Sequence, residues 1–593
     1  MRFLLPLLLA AVASIVPIAS TTPVMAATAT ADARFTDVAR RYVDSIARFS
    51  PVAGTQLGDH RYDDRLPDIT AAGRARQADF ARKLLAELKA LDFRALSRDN
   101  QVDALMLRNQ LDYDLWDLET LQSWSWNVQS YNDNAAGALY NLAARDFAPW
   151  PQRLKAAAKR MEALPAFLLE TRKQLIAAKV PEVYATQVSK QNSGIAEVAE
   201  DMLAPHAGDL APTDKARFDA ALARLKVAVA EQQTWLDKTL VPNAKGDFRL
   251  GARLYDQKMV FALMSRMTRP ELKAKAAAAA EQTRTQMYAL ARQVLGGKMG
   301  APPLPATPTQ AEQQAAIEAA LEVSYAKRPE RAALMTDAKA ALDTASAFVR
   351  AKDLVTMPVA PVKVITMPKF QQGNAVAYCD PPGPLDKGQD TLYAISPIPN
   401  EWTDQQATSF LREYNSYMVH DLSIHEAMPG HWLQLDHANQ NRSVLRAVLY
   451  SGPFAEGWAV YAEGMMADEG YLDGDPLFKL TVLKMRLRSI TNTLLDIGIH
   501  TEGMTREQAM DLMMKGAFQQ EREAAGKWTR AQLSSTQLLS YFSGYEEHMA
   551  MREEAKRRQG ARFNLKAYND AAIAYGSPPV RFVRELMFDL PIE

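Results

Sequence analysis

The stretch His425-Glu426-Ala427-Met428-Pro429-Gly430-His431 governs how this chain is read. Before it runs an apolar stripe at helical spacing, Leu411, Tyr414, Met418 and Leu422, whose next residue on the same face is His425. That phase predicts a helix that points His425 inward, in a region opened by a capping box at Thr403-Asp404-Gln405-Gln406. On an unbroken helix the six-residue gap would turn His431 roughly 240° away from His425. Pro429 prevents that continuation. It has no N–H for the His425 carbonyl and pushes Met428 out of the α region, while Gly430 tolerates a turn that other residues resist. The pattern therefore predicts a helix that ends or kinks at 427–429 and re-aims His431 toward His425.

Chemistry enters with the residue types. Of eight histidines, four (His420, His425, His431 and His437) fall within eighteen positions. A His-Glu pair followed by a second His can offer a zinc ion two nitrogens and its bound water a general base, Glu426. A third ligand is expected from Phe454-Ala455-Glu456-Gly457-Trp458-Ala459-Val460-Tyr461-Ala462-Glu463. Glu456 and Glu463 are seven apart, about 20° off one face, with small Ala459 between them where another helix could approach. Two carboxylates on an apolar face are costly unless paired or metal-bound. Glu456 is expected as ligand and Glu463 as the group that orients a ligand histidine, with the roles exchangeable.

Two further places carry polar groups in apolar settings. Asp496 and His500 are four apart at the end of a helical pattern, and Tyr541 lies beside small residues in Ser540-Tyr541-Phe542-Ser543-Gly544. Either His500 or Tyr541 could donate to a developing oxyanion; the plainer alternatives are a hydrogen-bonded core histidine and a core tyrosine. His60, His206 and His548 are read as structural.

From Ala31 to about Asp353 the periodicity is helical, with breaks at turn-rich segments and no fixed-period repeat. Stretches 359–365, 374–378 and 391–396 are β-branched or alternating, predicting a hairpin or three-stranded sheet just before the metal helix. An exposed edge there could pair with an extended peptide or simply pack. Residues 1–26 read as a cleavable leader: Arg2, an apolar run from Phe3 to Ala13, and Val24-Met25-Ala26, with no cysteine nearby to carry a lipid. No later stretch reaches the ~18 apolar residues of a membrane helix, so a periplasmic or secreted protein is expected. Lys plus Arg and Asp plus Glu number 69 each, which gives no electrostatic case for nucleic acid or an anionic membrane. The single Cys379 cannot form an internal disulfide and is either a small buried hydrophobe or a reactive thiol.

Together these motifs resemble the bacterial family of domain of unknown function 885, usually regarded as zinc metallopeptidases. The resemblance rests on Ser50-Pro51-Val52-Ala53 with Leu57-Gly58-Asp59-His60-Arg61-Tyr62-Asp63, on the 425–431 stretch with Gln434, on the 456–463 block, and on Asp496-x-Gly498-Ile499-His500 and Tyr541-x-x-Gly544. It implies a mainly α, metallopeptidase-like fold with a deep cleft and a short β element beside the active-site helix. It also implies one Zn2+ per chain on His425, His431 and Glu456, with Glu426 as base. One departure is the loop from Asp380 to Gln389, where relatives carry a more polar turn.

The expected organisation is a leader (1–26), a helical N-terminal region (27–356), a β element (357–400) and a helical catalytic region (401–593), as one continuous domain over about 31–590. The expected activity is hydrolysis of short peptides. A zinc amidohydrolase on a non-peptide amide or ester, or a non-catalytic periplasmic binding protein, are the alternatives. A serine hydrolase is disfavoured by the lack of a G-x-S-x-G elbow, and an NTPase because Gly297-Lys298 lacks the earlier glycine and the following Ser/Thr.

Overall fold

Helix formation follows the apolar period along most of the chain, and capping residues mark where it starts. Thr268 with Glu271, Thr309 with Glu312 and Thr403 with Gln406 each close a capping box, satisfying N–H groups that a helix start leaves orphaned. The computed structural model describes residues 22–368, 371–372, 376–386 and 388–593, with side chains from Ala31 onward. The expected leader lies outside the described residues except for its last five positions, which open the helix Thr22–Phe49. Among the described residues no helix is long and apolar enough to cross a membrane.

Packing gathers the helices into several cores. One core, from Val128 to Ala244, joins the helices Val128–Ala143, Trp150–Gln174 and Pro212–Trp235. A larger core runs from Met287 to Val583 and contains Ile424, Ala427 and Met428. The helices Arg269–Leu295, Gln310–Tyr325 and Leu334–Lys352 contribute to this second core and so pack with the 401–593 region, the first of them also packing on Gly251–Leu263 through Leu272 and Ala276.

The strands are β1 (Val362–Thr366), β2 (Ala377–Asp380) and β3 (Thr391–Ile395). They form one sheet in the order β1-β3-β2, with β1 parallel and β2 antiparallel to β3. All five residues of β3 are buried, as a central strand covered on both faces requires. Part of the expected 374–378 strand lies outside the described residues, and β2 begins at Ala377.

The loop after β2 is held by the N-terminal helical region. Leu385 N–H donates to the Leu57 carbonyl at 3.0 Å. His60 bridges Asp63 at 3.0 Å and Asp386 at 3.1 Å while its ring stacks on Phe147 at 3.7 Å. Arg145 donates to the carbonyls of Asp380, Pro381 and Asp390. Gly383 has no room for a side chain, since a Cβ would lie 2.3 Å from the Leu57 carbonyl carbon. The Leu57-Gly58-Asp59-His60 motif is thus a clamp on the loop that fixes β2 beside the helix carrying His425.

Candidate metal centre

The helix Ser416–Glu426 is capped by Asn415, whose Oδ1 accepts the N–H groups of Tyr417 and Met418. It ends where Pro429 predicts, and a new helix starts at His431. Gly430 has a negative φ of −78°; its need for glycine is close approach, because a Cβ would lie 2.0 Å from the His425 carbonyl oxygen. Trp458, fully buried, donates its indole N–H to the Pro429 carbonyl at 2.9 Å and locks the break against the helix Gly452–Asp468.

That helix meets Leu539–Gln559 nearly backbone to backbone. The small residue that permits this is Gly457 rather than the expected Ala459: a Cβ on Gly457 would lie 2.2 Å from the Gly544 carbonyl carbon.

His425, His431 and Glu456 converge, with their ligand atoms within 4.8 Å of one another. Glu456 Oε2 lies 3.4 Å from His425 Nε2 and 3.3 Å from His431 Nε2. A tetrahedral zinc with bonds of ~2.0–2.1 Å has ligand-to-ligand edges of about 3.4 Å. The same oxygen is buried without a hydrogen-bond partner among the described residues. An unsatisfied buried carboxylate oxygen facing two imidazoles is the donor set that a cation completes.

Behind this group, His425 Nδ1 is 2.6 Å from Glu463 Oε1, which directs Nε2 toward Glu456. His431 Nδ1, by contrast, is buried without a partner among the described residues. Asp421, one turn before His425 and fully buried, stands next to Glu463. Burial first, and then the Glu463 charge, hold its carboxyl well above the usual carboxylate range. Glu426 Oε2 accepts the Cys379 N–H at 3.0 Å. Burial raises the Glu426 pKa, with His425 and His431 opposing and Glu456 adding to the rise.

Tyr541 stacks on His425 with ring centres 6.3 Å apart. Its oxygen accepts from Arg530 at 2.9 Å and from Gln537 at 3.4 Å, so its own O–H remains to be donated. His500 is placed differently. Its Nε2 donates to the carbonyls of Ala531 and Ser534 at 3.1 and 2.7 Å, and its ring packs on Phe248 and Tyr255. That nitrogen is committed to the backbone and Nδ1 is buried without a partner among the described residues, so of the two expected oxyanion donors it is Tyr541 that stacks on His425. Asp496 is 3.4 Å from the same nitrogen and fully buried. Burial, with Lys258 opposing, pushes its pKa to about 8, and burial lowers that of His500 to about 4. Both belong to a buried polar cluster with Lys258 and Tyr255 that does not include the three ligand residues.

The other two histidines of the cluster are also engaged, His420 Nδ1 with the Tyr471 hydroxyl at 2.8 Å and His437 Nε2 with the Thr356 carbonyl at 2.9 Å. At Cys379 the strand contributes its backbone N–H, while burial, with Glu426 and Asp380 adding, keeps the thiol protonated. Because Glu426 takes that N–H, β2 does not present it to an extended peptide. A cavity of about 390 Å³, lined in part by Tyr113, Lys258, Tyr450 and Ser451, opens just before the Glu456 helix. A larger one of about 540 Å³ lies between β1, β3 and the Val128–Ala143 helix; the three ligand residues line neither.

Sequence reasoning passes over Asp421, Lys527 and Arg530. Asp421 is within its reach, since a residue four before His425 shares its face. The two basic residues sit in Glu521–Gln532, a charged segment that reads as a surface helix.

The family described as bacterial protein of unknown function (DUF885) matches residues 51–587. The chain belongs to that family. A solved candidate lipoprotein of unknown function from Shewanella oneidensis is 32% identical, with a TM-score of 0.77 over 93% of this chain and 99% of the other. A candidate lipoprotein from Colwellia psychrerythraea shares the fold at 14% identity, with a TM-score of 0.70 over 95% of this chain and 99% of its own. No curated protein matches the chain.

Proposed function

We propose that this DUF885 protein is a zinc-dependent hydrolase that cleaves short peptides. The observation that carries the reading is the single orphaned oxygen of Glu456 standing 3.4 and 3.3 Å from two imidazole nitrogens. Glu426 follows His425 directly in the chain. Zinc bound by His425, His431 and Glu456 would supply Lewis acidity and a water whose pKa falls toward ~7.

The remaining roles are carried by the chain. Glu426, held by the Cys379 N–H and raised in pKa by burial, takes the proton of the attacking water and returns it to the leaving amine. Tyr541, with its oxygen fixed by Arg530 and Gln537, donates its O–H to the carbonyl oxygen as charge develops there. Glu463 keeps His425 in the tautomer that offers Nε2. A site enclosed by helices favours unstructured peptide over folded protein, the cleft-type access expected of a metallopeptidase. The leader-like 1–26 stretch supports a periplasmic or secreted location.

The test is Glu426→Gln beside wild type, read by metal analysis and by mass spectrometry of peptide digests. We expect about one zinc per chain in both proteins, and turnover reduced by about 10²–10⁴ in the variant. A fully active Gln variant would remove Glu426 from the mechanism. Cleavage confined to non-peptide amides or esters would move the enzyme to an amidohydrolase.

A further inference from the structure

Next to Glu456, two of four cationic side chains make no hydrogen bond to a carboxylate among the described residues. Four cationic side chains, Lys484, Arg488, Lys527 and Arg530, gather around two buried carboxylates, Glu413 and Glu523. Lys484 bonds to Glu413 at 2.8 Å. Arg488 bonds to Glu523, which also accepts from the Tyr414 hydroxyl at 3.1 Å. That accounts for both acids. Arg530 is left with neutral acceptors, Tyr541 Oη at 2.9 Å and Gln537 Oε1 at 3.3 Å.

Lys527 is 5% exposed and makes no hydrogen bond or ion pair among the described residues, and its Nζ is not sealed from solvent. Burial, then the guanidinium groups of Arg488 and Arg530, push its pKa well down, with only Glu523 and Glu456 opposing. That disfavours the charged form, and an arriving carboxylate would favour the ammonium. Lys527 and Arg530 are three apart on one helix and so share a face. Both lie within electrostatic reach of Glu456.

We propose that Lys527 and Arg530 form a subsite for a carboxylate on the residue adjoining the scissile bond. The inference rests on the hydrolase reading of the metal group. Its position follows from Tyr541, which touches Arg530 and stacks on His425. If Tyr541 holds the scissile carbonyl, Arg530, bonded to the Tyr541 oxygen at 2.9 Å, stands beside a residue next to that bond, and Lys527 shares the helix face of Arg530. A carboxylate there belongs to a residue adjoining the scissile bond. Its source is either the free α-carboxylate of a terminal residue or an Asp or Glu side chain at that place. Arg530 would serve both that anion and the orientation of Tyr541.

The test is a binding measurement, so it does not depend on turnover. Full-length wild type and Lys527→Met are titrated calorimetrically with three probes: N-acetyl-Ala-Ala with a free C-terminus, N-acetyl-Ala-Ala amide, and N-acetyl-Ala-Glu amide. We expect wild type to bind a carboxylate probe roughly ten- to hundredfold tighter than the neutral amide. Lys527→Met should lose that preference while still binding the amide as wild type does. Preference for the first probe assigns a terminal α-carboxylate, and preference for the third an acidic side chain.

Equal affinity for all three probes, no measurable binding of either carboxylate, or a preference unchanged in both Lys527→Met and Arg530→Gln would overturn the proposal. Removing an unpartnered buried charge is expected to raise the melting temperature, so Lys527→Met should fold. A protein that binds the acid but cleaves nothing would refute the hydrolase reading and leave the subsite standing.

Discussion

Two buried histidine–carboxylate pairs in this protein look alike in sequence and differ in what surrounds them. His425 meets Glu463 at 2.6 Å through Nδ1, and its other nitrogen faces an oxygen that bonds to no described group. His500 meets Asp496 at 3.4 Å through Nε2, and the same nitrogen is already given to the carbonyls of Ala531 and Ser534. Burial and a carboxylate neighbour are common to both. The difference is convergence: the histidine of the first pair is one of three ligand-type side chains whose atoms lie within 4.8 Å of one another, whereas the second pair, with His500 Nδ1 and the Asp496 oxygens also lacking hydrogen-bond partners, gathers no such third residue among the described residues.

The comparison breaks most sharply on metal content. His431→Ala or Glu456→Ala should lower bound zinc from about one per chain to near none. His500→Asn should leave it unchanged while costing about 1–3 kcal/mol of stability from the orphaned carbonyls. Metal analysis beside urea unfolding reads both, and zinc lost from the His500 variant would erase the distinction. Next in size, Tyr541→Phe should reduce turnover by about 10²–10³ with zinc retained. Steady-state kinetics of the purified variant would expose an error if kcat stayed within a few-fold of wild type. Smaller again, Glu463→Gln should weaken zinc affinity by about 10–100-fold. Asp496→Asn should not change it, and competition with a chromogenic chelator compares the two directly.

Much of this arrangement is legible in the amino-acid sequence. The apolar phase of Leu411 to Leu422 places His425 inward, and the chemistry of Pro429 places the break, because both are local consequences of helix geometry. Capping at Thr403 is equally local. Glu456 and Glu463 cannot be told apart by spacing, since residues seven apart share a face and only their different heights along the helix decide which one meets Nε2. Spacing misplaces His500 for the same reason: it assigns a face but does not say which neighbour covers it. The order β1-β3-β2 depends on pairing between distant segments, and Gly457 shows its purpose only once Gly544 stands against it. Lys527 and Arg530 escape notice because a helix as charged as Glu521–Gln532 reads as solvated, while here its basic face turns toward buried acids.

A third histidine sharpens the contrast through pH. His60 has both nitrogens on carboxylates, Asp63 and Asp386, so its favoured state is the imidazolium rather than a metal ligand or a neutral donor. Burial opposes the charge, but the hydrogen bonds to Asp386 and Asp63 outweigh it and raise the pKa from 6.5 to about 9. Below pH 6.5 both the folded and unfolded chains hold this proton, and the stabilisation is complete. As pH rises toward about 9 the unfolded chain releases the proton while the folded chain keeps it, so stability falls, and above that pH the contribution is gone. A shift of this size at a partly exposed, screened position corresponds to about 1–2 kcal/mol. Urea unfolding at pH 6 and pH 9.5 should therefore show a larger loss in wild type than in His60→Gln. Equal losses in the two proteins would mean that the clamp on the β2 loop does not depend on the His60 charge.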